Sequence, residues 1–359
     1  MNEMNDINGA SRRVMLGMSG GVDSCAAALL LKEQGCEVCG VTMLLCPDSS
    51  ESDESVADAR AVCRALDIEH RTLDLRGRFA DTVIADFVAE YGRARTPNPC
   101  VTCNREIKFG AMLDYALECG FDRVATGHYA RIVTDSLGRS RVRKDTTPKD
   151  QSYVLWRLDA DRLSRIVLPV NGYAKDDLRA MVRAAGLPVH SKPDSQDICF
   201  IPDGDYVAFL ERYAGTAPRE GNFVDADGRV IGRHGGVVRY TVGQRKGLGG
   251  CFGEPMYVTR LNAEKNEITL GREGSQYARR MICGQINLHG GAEETANGVQ
   301  VKARYSARPA QARITLDLSA GMAEVVFDEP QRALTPGQSA VFYDGDLLLG
   351  GGIIDEVIG

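Results

Sequence analysis

The sequence predicts a doubly wound α/β domain, followed by a small β-rich central domain and a C-terminal β-barrel. Helical and strand periodicities alternate from residue 13 to about residue 201; glycine-rich turns then break the chain into short apolar runs; and four well-spaced strand patterns lie beyond residue 279.

Taken in order, R-V-M-L-G-M at 13–18 is a short apolar strand running into S-G-G-V-D-S, and 25–34 reads as a helix stopped by Gly35. A buried strand at 37–43, a helix at 55–66 and a strand at 69–73 follow. Strands joined by helices are parallel, with the helices packed on both faces of the sheet. Residues 107–119 bring Ile107, Met112, Leu113, Ala116 and Leu117 to one helical face before Gly120, and 123–126 supply the next strand. A helix at 175–185 continues the pattern. Turns at Asp227-Gly228, Gly235-Gly236 and Leu248-Gly249-Gly250 mark the central domain, and runs at 300–305, 311–316, 323–327 and 339–343 are spaced as in a small barrel. The expected domains are 1–205, 206–275 and 276–359.

At 359 residues and 43% hydrophobic, the chain can bury its cores without covalent staples. No apolar run approaches the roughly 18–20 residues needed to span a bilayer, and no apolar stretch precedes Arg12 and Arg13 as a leader would require. A soluble, cytoplasmic monomer without membrane contact is expected. In such a chain the eleven cysteines are mostly small buried hydrophobes, with a few free to react. The net charge of -6 argues against general affinity for phosphate backbones, so any nucleic-acid surface has to be local. The densest basic segment, 131–149, sets Arg131, Arg139, Arg141, Arg143, Lys144 and Lys149 against Asp135 and Asp145. It reads either as a solvated hairpin around Leu137-Gly138 or as a binding surface. The acidic, serine-rich segment 47–55 reads as a loop.

Residues Gly17, Met18, Ser19, Gly20, Gly21, Val22, Asp23 and Ser24 stand where a strand gives way to a helix, the place where backbone N–H groups and the helix dipole hold an anion. Gly20 and Gly21 allow close approach to phosphate, Ser19 and Ser24 offer hydroxyls, and Asp23 is a carboxylate suited to Mg2+. The loop matches neither G-x-x-x-x-G-K-[ST] nor G-x-G-x-x-G, so neither a P-loop kinase nor a Rossmann dehydrogenase is supported. It resembles the pyrophosphate loop of the PP-loop ATP pyrophosphatases, whose Rossmann-like domains adenylate an oxygen and release pyrophosphate.

Further motifs resemble the bacterial tRNA-specific 2-thiouridylase family along nearly the whole chain. They are G-V-T-M at 40–43, T-P-N-P-C-V-T-C-N-R-E-I-K-F at 96–109, A-T-G-H-Y-A at 125–130, K-D-Q-S-Y at 149–153, D-S-Q-D-I-C-F-I at 194–201, Y-T-V-G-Q-R-K-G-L at 240–248 and T-P-G-Q-S-A-V-F-Y at 335–343. The resemblance implies that ATP activates C2 of the wobble uridine of tRNA and that a persulfide sulfur replaces its oxygen. It assigns the persulfide to Cys199 and the partner thiol to Cys103, because sulfur arriving as a persulfide is released when a second thiol takes over the S–S link. Cys103, read as lying directly before a helix, is expected to have a depressed pKa. Met43 and Gly127 match positions lining the adenosine; Asn98, Pro99 and Cys100 match the target-base loop, since modifying a base requires extracting it from its stack. His128, Lys149, Asp150, Gln151, Arg304, Tyr305 and Gln338 match tRNA-contacting positions. The expected partners are tRNAs for Glu, Gln and Lys and a persulfide donor such as a cysteine desulfurase or a sulfur-relay protein.

Many members of that family carry aspartate where Cys100 stands. Cys100, Cys103 and Cys199 together offer three thiolates, enough to hold a [4Fe-4S] cluster with one iron open, which is an alternative route to the same product. Cys36-x-x-Cys39 does not complete a zinc ribbon with Cys100-x-x-Cys103, because the pairs are ~60 residues apart instead of ~15–20. A non-catalytic, zinc-dependent tRNA-binding protein is the remaining alternative, and it leaves S-G-G-V-D-S without a use.

Overall fold

A computed structural model describes residues 13–50, 52–187, 198–215, 217–250, 252–290 and 295–358. Arg12 and residues 194–197 of the D-S-Q-D-I-C-F-I motif lie outside the described residues. The chain gathers into two compact units, one of residues 1–83, 100–200 and 346–348, the other of residues 84–99, 201–345 and 349–359.

The first unit carries the expected doubly wound sheet. Strands β1 (Arg13–Gly17), β2 (Glu37–Leu44), β3 (Glu69–Asp74) and β4 (Arg123–Ala125) form with β7 (Ile166–Val167) a five-stranded sheet in the order β3-β2-β1-β4-β7. All its pairings are parallel. Helix α1 (Val22–Glu33) is rich in alanine and leucine, strong helix formers. It packs between the sheet and the helix Lys175–Ala184, whose Leu178 and Val182 share its core. It ends as sequence predicts: Cys36 N–H donates to Leu31 O and Gly35 N–H to Lys32 O across the glycine stop. Cys25, Cys36, Cys39 and Cys63 are buried in this unit. The antiparallel strands β5 (Ala130–Thr134) and β6 (Ser140–Lys144) make the expected basic hairpin, and Arg143 pairs with Leu347.

One helix differs from expectation. The run predicted over 107–119 starts earlier, as Pro99–Cys103, widens into a π-type segment over Asn104–Ala111 and finishes as Met112–Glu118. Pro99 lacks the N–H that a first turn leaves unused and fixes φ near the helical value, so it starts the helix well ahead of the apolar periodicity. Carbonyls of the widened segment find a donor elsewhere: Arg162 Nη1 donates to the oxygens of Arg105 and Phe109, both at 3.0 Å.

In the second unit, strands β8 (Gly221–Val224), β9 (Val230–His234), β10 (Tyr257–Asn262) and β11 (Glu267–Gly271) form a four-stranded sheet around Phe223, Val258, Ile268 and Leu270. Strands β12 (Tyr277–Leu288), β13 (Thr295–Lys302), β14 (Ala310–Asp317), β15 (Met322–Arg332), β16 (Ser339–Asp344) and β17 (Leu347–Ile358) run in the order β12-β15-β14-β13-β16-β17. The pairing of β12 with β17 closes them into a barrel, filled by Met281, Val301, Ile314, Val325, Phe327, Phe342 and Ile354. Closure removes the free sheet edges.

Candidate active site

The strand order reverses between β1 and β4, and ligands of open α/β sheets bind beyond the carboxyl ends of the strands at such a switch point. The loop 17–24 leaves β1 there, and Thr126-Gly127-His128 leaves β4. A Cβ on Gly127 would stand 2.8 Å from Asp23 Cβ and 3.0 Å from Ser24 N, so only glycine lets the two loops meet. Gly20 has φ +70° and abuts Ser55 O. The residue ahead of α1, Gly21, supplies no side-chain cap, which leaves the first-turn N–H groups for an anion. Ser19 and Ser24 are joined at 3.3 Å, and Ser24 Oγ donates to Gly21 O. A loop of two hydroxyls and an uncapped helix start fits a pyrophosphate group.

Asp23 is more occupied than the sequence implied. Its Oδ1 accepts Lys175 Nζ and Tyr129 Oη, each at 2.7 Å. A magnesium ion travelling with nucleotide phosphates needs only one or two protein carboxylates, and Asp23 fits that minor role with Lys175 as a neighbouring cation. Met43, half-buried near the carboxyl end of β2, lies on the same edge of the sheet.

Cys46, Cys100, Cys103 and Cys199 lie in the same unit. Cys103 is buried within the helical run, and Cys100 precedes it by three residues on the same helix. Cys199 is exposed, and its carbonyl oxygen lies 3.9 Å from Cys46 Sγ. The expectation of a depressed pKa at Cys103 is corrected. Burial pushes this thiol up to about 11, and Lys108 only partly opposes it. Cys103 sits inside the helix, its backbone helical at φ -60°, and not at the exposed first N–H groups where the dipole would favour a thiolate. Protein crowding around Cys199 pushes it up to about 12; the Cys103, Cys46 and Cys100 thiols add to this, and Lys108 again opposes. Among the described residues no group of three His, Cys, Asp or Glu side chains is arranged to hold a metal ion. The three thiols of the iron-sulfur alternative are therefore not assembled as ligands.

The remaining predicted positions differ in exposure. His128 is buried, with Nδ1 2.8 Å from Thr126 Oγ1 and its ring beside Phe109. Burial, aided by Lys108, holds its pKa well below the usual histidine range, so it is neutral. Asp150 accepts from Asp145 N and from Ser152 N and Oγ. Gln151 Oε1 accepts Tyr129 N–H, while Lys149 is exposed. In the basic hairpin, Arg139 and Arg141 pair with Asp135 at 2.8 and 3.4 Å, and Arg131 and Arg143 pair with Asp346 at 2.5 and 2.9 Å. Arg141 is buried. Asp135 and Asp346 are thus shared among the four arginines, which offsets part of the hairpin's positive charge within the protein.

In the second unit, Gln338 Nε2 donates to Thr96 O at 2.7 Å and to Pro97 O at 3.4 Å. Thr96 N–H donates to Pro336 O at 2.9 Å. Asn98 and Pro99 follow directly in the chain. Arg304 donates to Val242 O and Thr335 Oγ1, and Tyr305 is exposed with Lys302 Nζ 5.2 Å from its ring centroid. Sequence reasoning gave no role to Lys108, Lys175, Tyr129 or Cys46. Lys108 and Tyr129 lie in recognised motifs, Cys46 lies just beyond G-V-T-M at 40–43 and Lys175 opens the predicted helix at 175–185, but only the folded chain brings them to the thiols and the loop. Asn104 was also passed over: its Nδ2 donates to Cys100 O at 2.9 Å, and its buried Oδ1 has no partner among the described residues.

A parallel sheet with an S-G-G-V-D-S loop at its switch point defines an ATP-using protein of the PP-loop class. The matched family models are a tRNA methyl transferase HUP domain over residues 12–203, a tRNA methyl transferase PRC-barrel domain over 207–272 and an aminomethyltransferase beta-barrel domain over 278–354. The tRNA-specific 2-thiouridylase MnmA of Acetivibrio thermocellus is 45% identical over 358 residues, spanning 96% of this chain and 99% of its own. That of Acidithiobacillus ferrooxidans is 47% identical over 348 residues, with the same coverage of both chains. The chain belongs to the tRNA-specific 2-thiouridylase family.

Proposed function

We propose that the protein is a tRNA-uridine 2-sulfurtransferase acting in the cytoplasm on C2 of the wobble uridine, position 34, of tRNAs for Glu, Gln and Lys. ATP adenylates the C2 oxygen, a persulfide on Cys199 supplies the sulfur, and Cys103 is the partner thiol; 2-thiouridine, AMP and pyrophosphate leave. The observation that carries this reading is the presence in one compact unit of a phosphate loop and a thiol cluster that includes both Cys103 and Cys199.

The loop 17–24 and Lys175 would hold the phosphates, with Met43 and Gly127 beside the adenosine. A persulfide is more acidic than its parent thiol, so a site that keeps plain Cys199 protonated still ionises it once it is loaded with sulfur, and Lys108 stabilises the anion. The outer sulfur of Cys199 bonds to C2. Cys103 then attacks the Cys199 sulfur, a Cys103–Cys199 bond forms, and the bond to the delivered sulfur breaks; its electron pair stays with the thiouridine as AMP departs. Asn98, Pro99 and Cys100 line the extruded base, and the buried acceptor Asn104 Oδ1 suits the uridine N3–H. Lys149, His128, Asp150, Gln151, Arg304, Tyr305 and Gln338 bind tRNA directly or shape the surfaces that do. A cysteine desulfurase or a sulfur-relay protein would load Cys199.

The test is tRNA-dependent pyrophosphate release, together with mass spectrometry of the protein after sulfur loading. Wild type should carry an extra sulfur on the Cys199 peptide; Cys199→Ser should keep pyrophosphate release and lose both the extra sulfur and thiolation. A Cys199→Ser protein that still thiolates tRNA would overturn the assignment.

A further inference from the structure

Cys46 belongs to the turn that leaves β2, and nothing in the reaction above uses it. Its Sγ lies 3.9 Å from the carbonyl oxygen of Cys199, a residue far away in sequence. It is half-buried, unlike Cys25, Cys36, Cys39 and Cys63, which fill the core of the same unit. Cys103 is buried and Cys199 exposed. The partner thiol of the sulfur transfer is therefore the member of the cluster least accessible to a reductant, and Cys46 is a less buried thiol whose Sγ approaches the Cys199 backbone.

We propose that Cys46 is a third redox thiol of the site, which takes the disulfide over from Cys103 after each sulfur transfer and presents it to an external dithiol reductant. The proposal rests on the sulfur-transfer reading. In the exchange, the Cys46 thiolate attacks the Cys199 sulfur, a Cys46–Cys199 bond forms and the Cys103–Cys199 bond breaks. Cys103 leaves as a thiolate and takes up the proton that Cys46 gave away, so nothing is oxidised or reduced in this step. The dithiol reductant then reduces Cys46–Cys199 to two thiols and becomes a disulfide itself. Cys46 is half-buried where Cys103 is buried, so the relayed disulfide offers an attacking reductant a more accessible end than the first one does. Burial and the carboxylates of Asp48 and Asp53 raise the pKa of Cys46. It therefore stays mostly protonated at rest.

The experiment has two arms on the full-length protein. In the first, wild type and Cys103→Ser are oxidised with diamide, a chemical thiol oxidant, without tRNA; the remaining thiols are alkylated, and the disulfide-linked peptides are mapped by mass spectrometry. A Cys46–Cys199 peptide is expected in both proteins, and its absence from Cys103→Ser, which lacks the Cys103 competitor, overturns the proposal. In the second, Cys46→Ser and wild type are loaded with sulfur and given ATP, tRNA and a limiting dithiol. Cys46→Ser should complete the first turnover at the wild-type rate and then run on the order of tenfold slower in steady state. Equal steady-state rates overturn the proposal. A Cys46→Ser protein with no first turnover would overturn it too, by making Cys46 part of the transfer itself. Failure of the underlying reading is seen separately, as a Cys46→Ser single turnover that leaves no Cys103–Cys199 peptide.

Discussion

Lys108 is one π-type turn beyond Cys103, and its charge acts on three groups at once. It opposes the burial that raises Cys103 and Cys199, and it helps to keep His128 neutral. With the thiols raised to about 11 and about 12, their thiolate fraction near neutrality is small and grows with pH up to those values. Lys108→Met removes the opposing charge and leaves burial unchecked, so both thiols move further up. Well below its pKa a thiol loses thiolate in proportion as that pKa climbs, and the alkylation rate of Cys103 and Cys199 at pH 8 is expected to fall roughly three- to tenfold. Lys108→Arg, which keeps the charge, should restore most of it. The measurement is the pH dependence of iodoacetamide labelling, read peptide by peptide. Unchanged labelling in Lys108→Met would remove the lysine from the thiols' electrostatics.

At the scale of elements, the segment ahead of Pro99 is held by hydrogen bonds to residues far along the chain. Gln338 grips the carbonyls of Thr96 and Pro97, Pro336 O receives Thr96 N–H, and Arg95 reaches Ile354 O at 3.1 Å and Asp355 at 2.8 Å. These contacts turn the amide donor of Gln338 to the protein's own chain directly ahead of Asn98, and we infer that Gln338 positions the target-base loop proposed above. Gln338→Ala is expected to leave tRNA affinity nearly unchanged and to slow single-turnover thiolation at saturating tRNA by on the order of tenfold, about 1.4 kcal/mol of lost positioning. Weaker binding with an unchanged single-turnover rate would return Gln338 to a direct tRNA contact. The alternation of strand and helix was legible in the sequence because each element carries its own period. The start of the helix at Pro99 was not, because Cys100, Thr102, Cys103 and Asn104 carry no apolar stripe. Strand β17 escaped for the same reason: Gly350, Gly351 and Gly352 have no side chains to alternate. The phosphate loop was legible because its residues are consecutive. The raised thiols, the Lys175–Asp23 pair and the position of Cys46 were not, since burial and approach across the fold have no local signature.

For the whole molecule, the order of residues along the chain and the order of packing part company. Residues 84–99 are packed with the unit built from 201 onward, and residues 346–348 with the unit built from the N-terminal half. A fragment ending at residue 205, the boundary drawn from sequence, loses contacts at both places. Without Asp346 and Leu347, the guanidinia of Arg131 and Arg143 lose their carboxylate, Lys144 N–H loses its acceptor at 2.8 Å and Arg143 loses its strand partner. Without the later residues, Phe87 and Tyr91 lose the rings of Phe209 and Tyr206 that they pack on at 6.2 and 5.1 Å, and Arg95, Thr96 and Pro97 lose every partner named above. The ion pairs are half-exposed and contribute little each. The backbone hydrogen bonds and uncovered aromatic rings together cost the fragment on the order of 3 kcal/mol. At about 2–4 °C per kcal/mol for a domain of ~200 residues, its midpoint should fall by on the order of 10 °C below that of the full chain. Thermal unfolding of the two proteins followed by circular dichroism makes the comparison. The full-length Asp346→Ala variant isolates the share that belongs to the hairpin. A fragment that unfolds cooperatively at the full-length midpoint would mean that the N-terminal half needs neither of the exchanged segments, and that the thiol site could be studied on it alone.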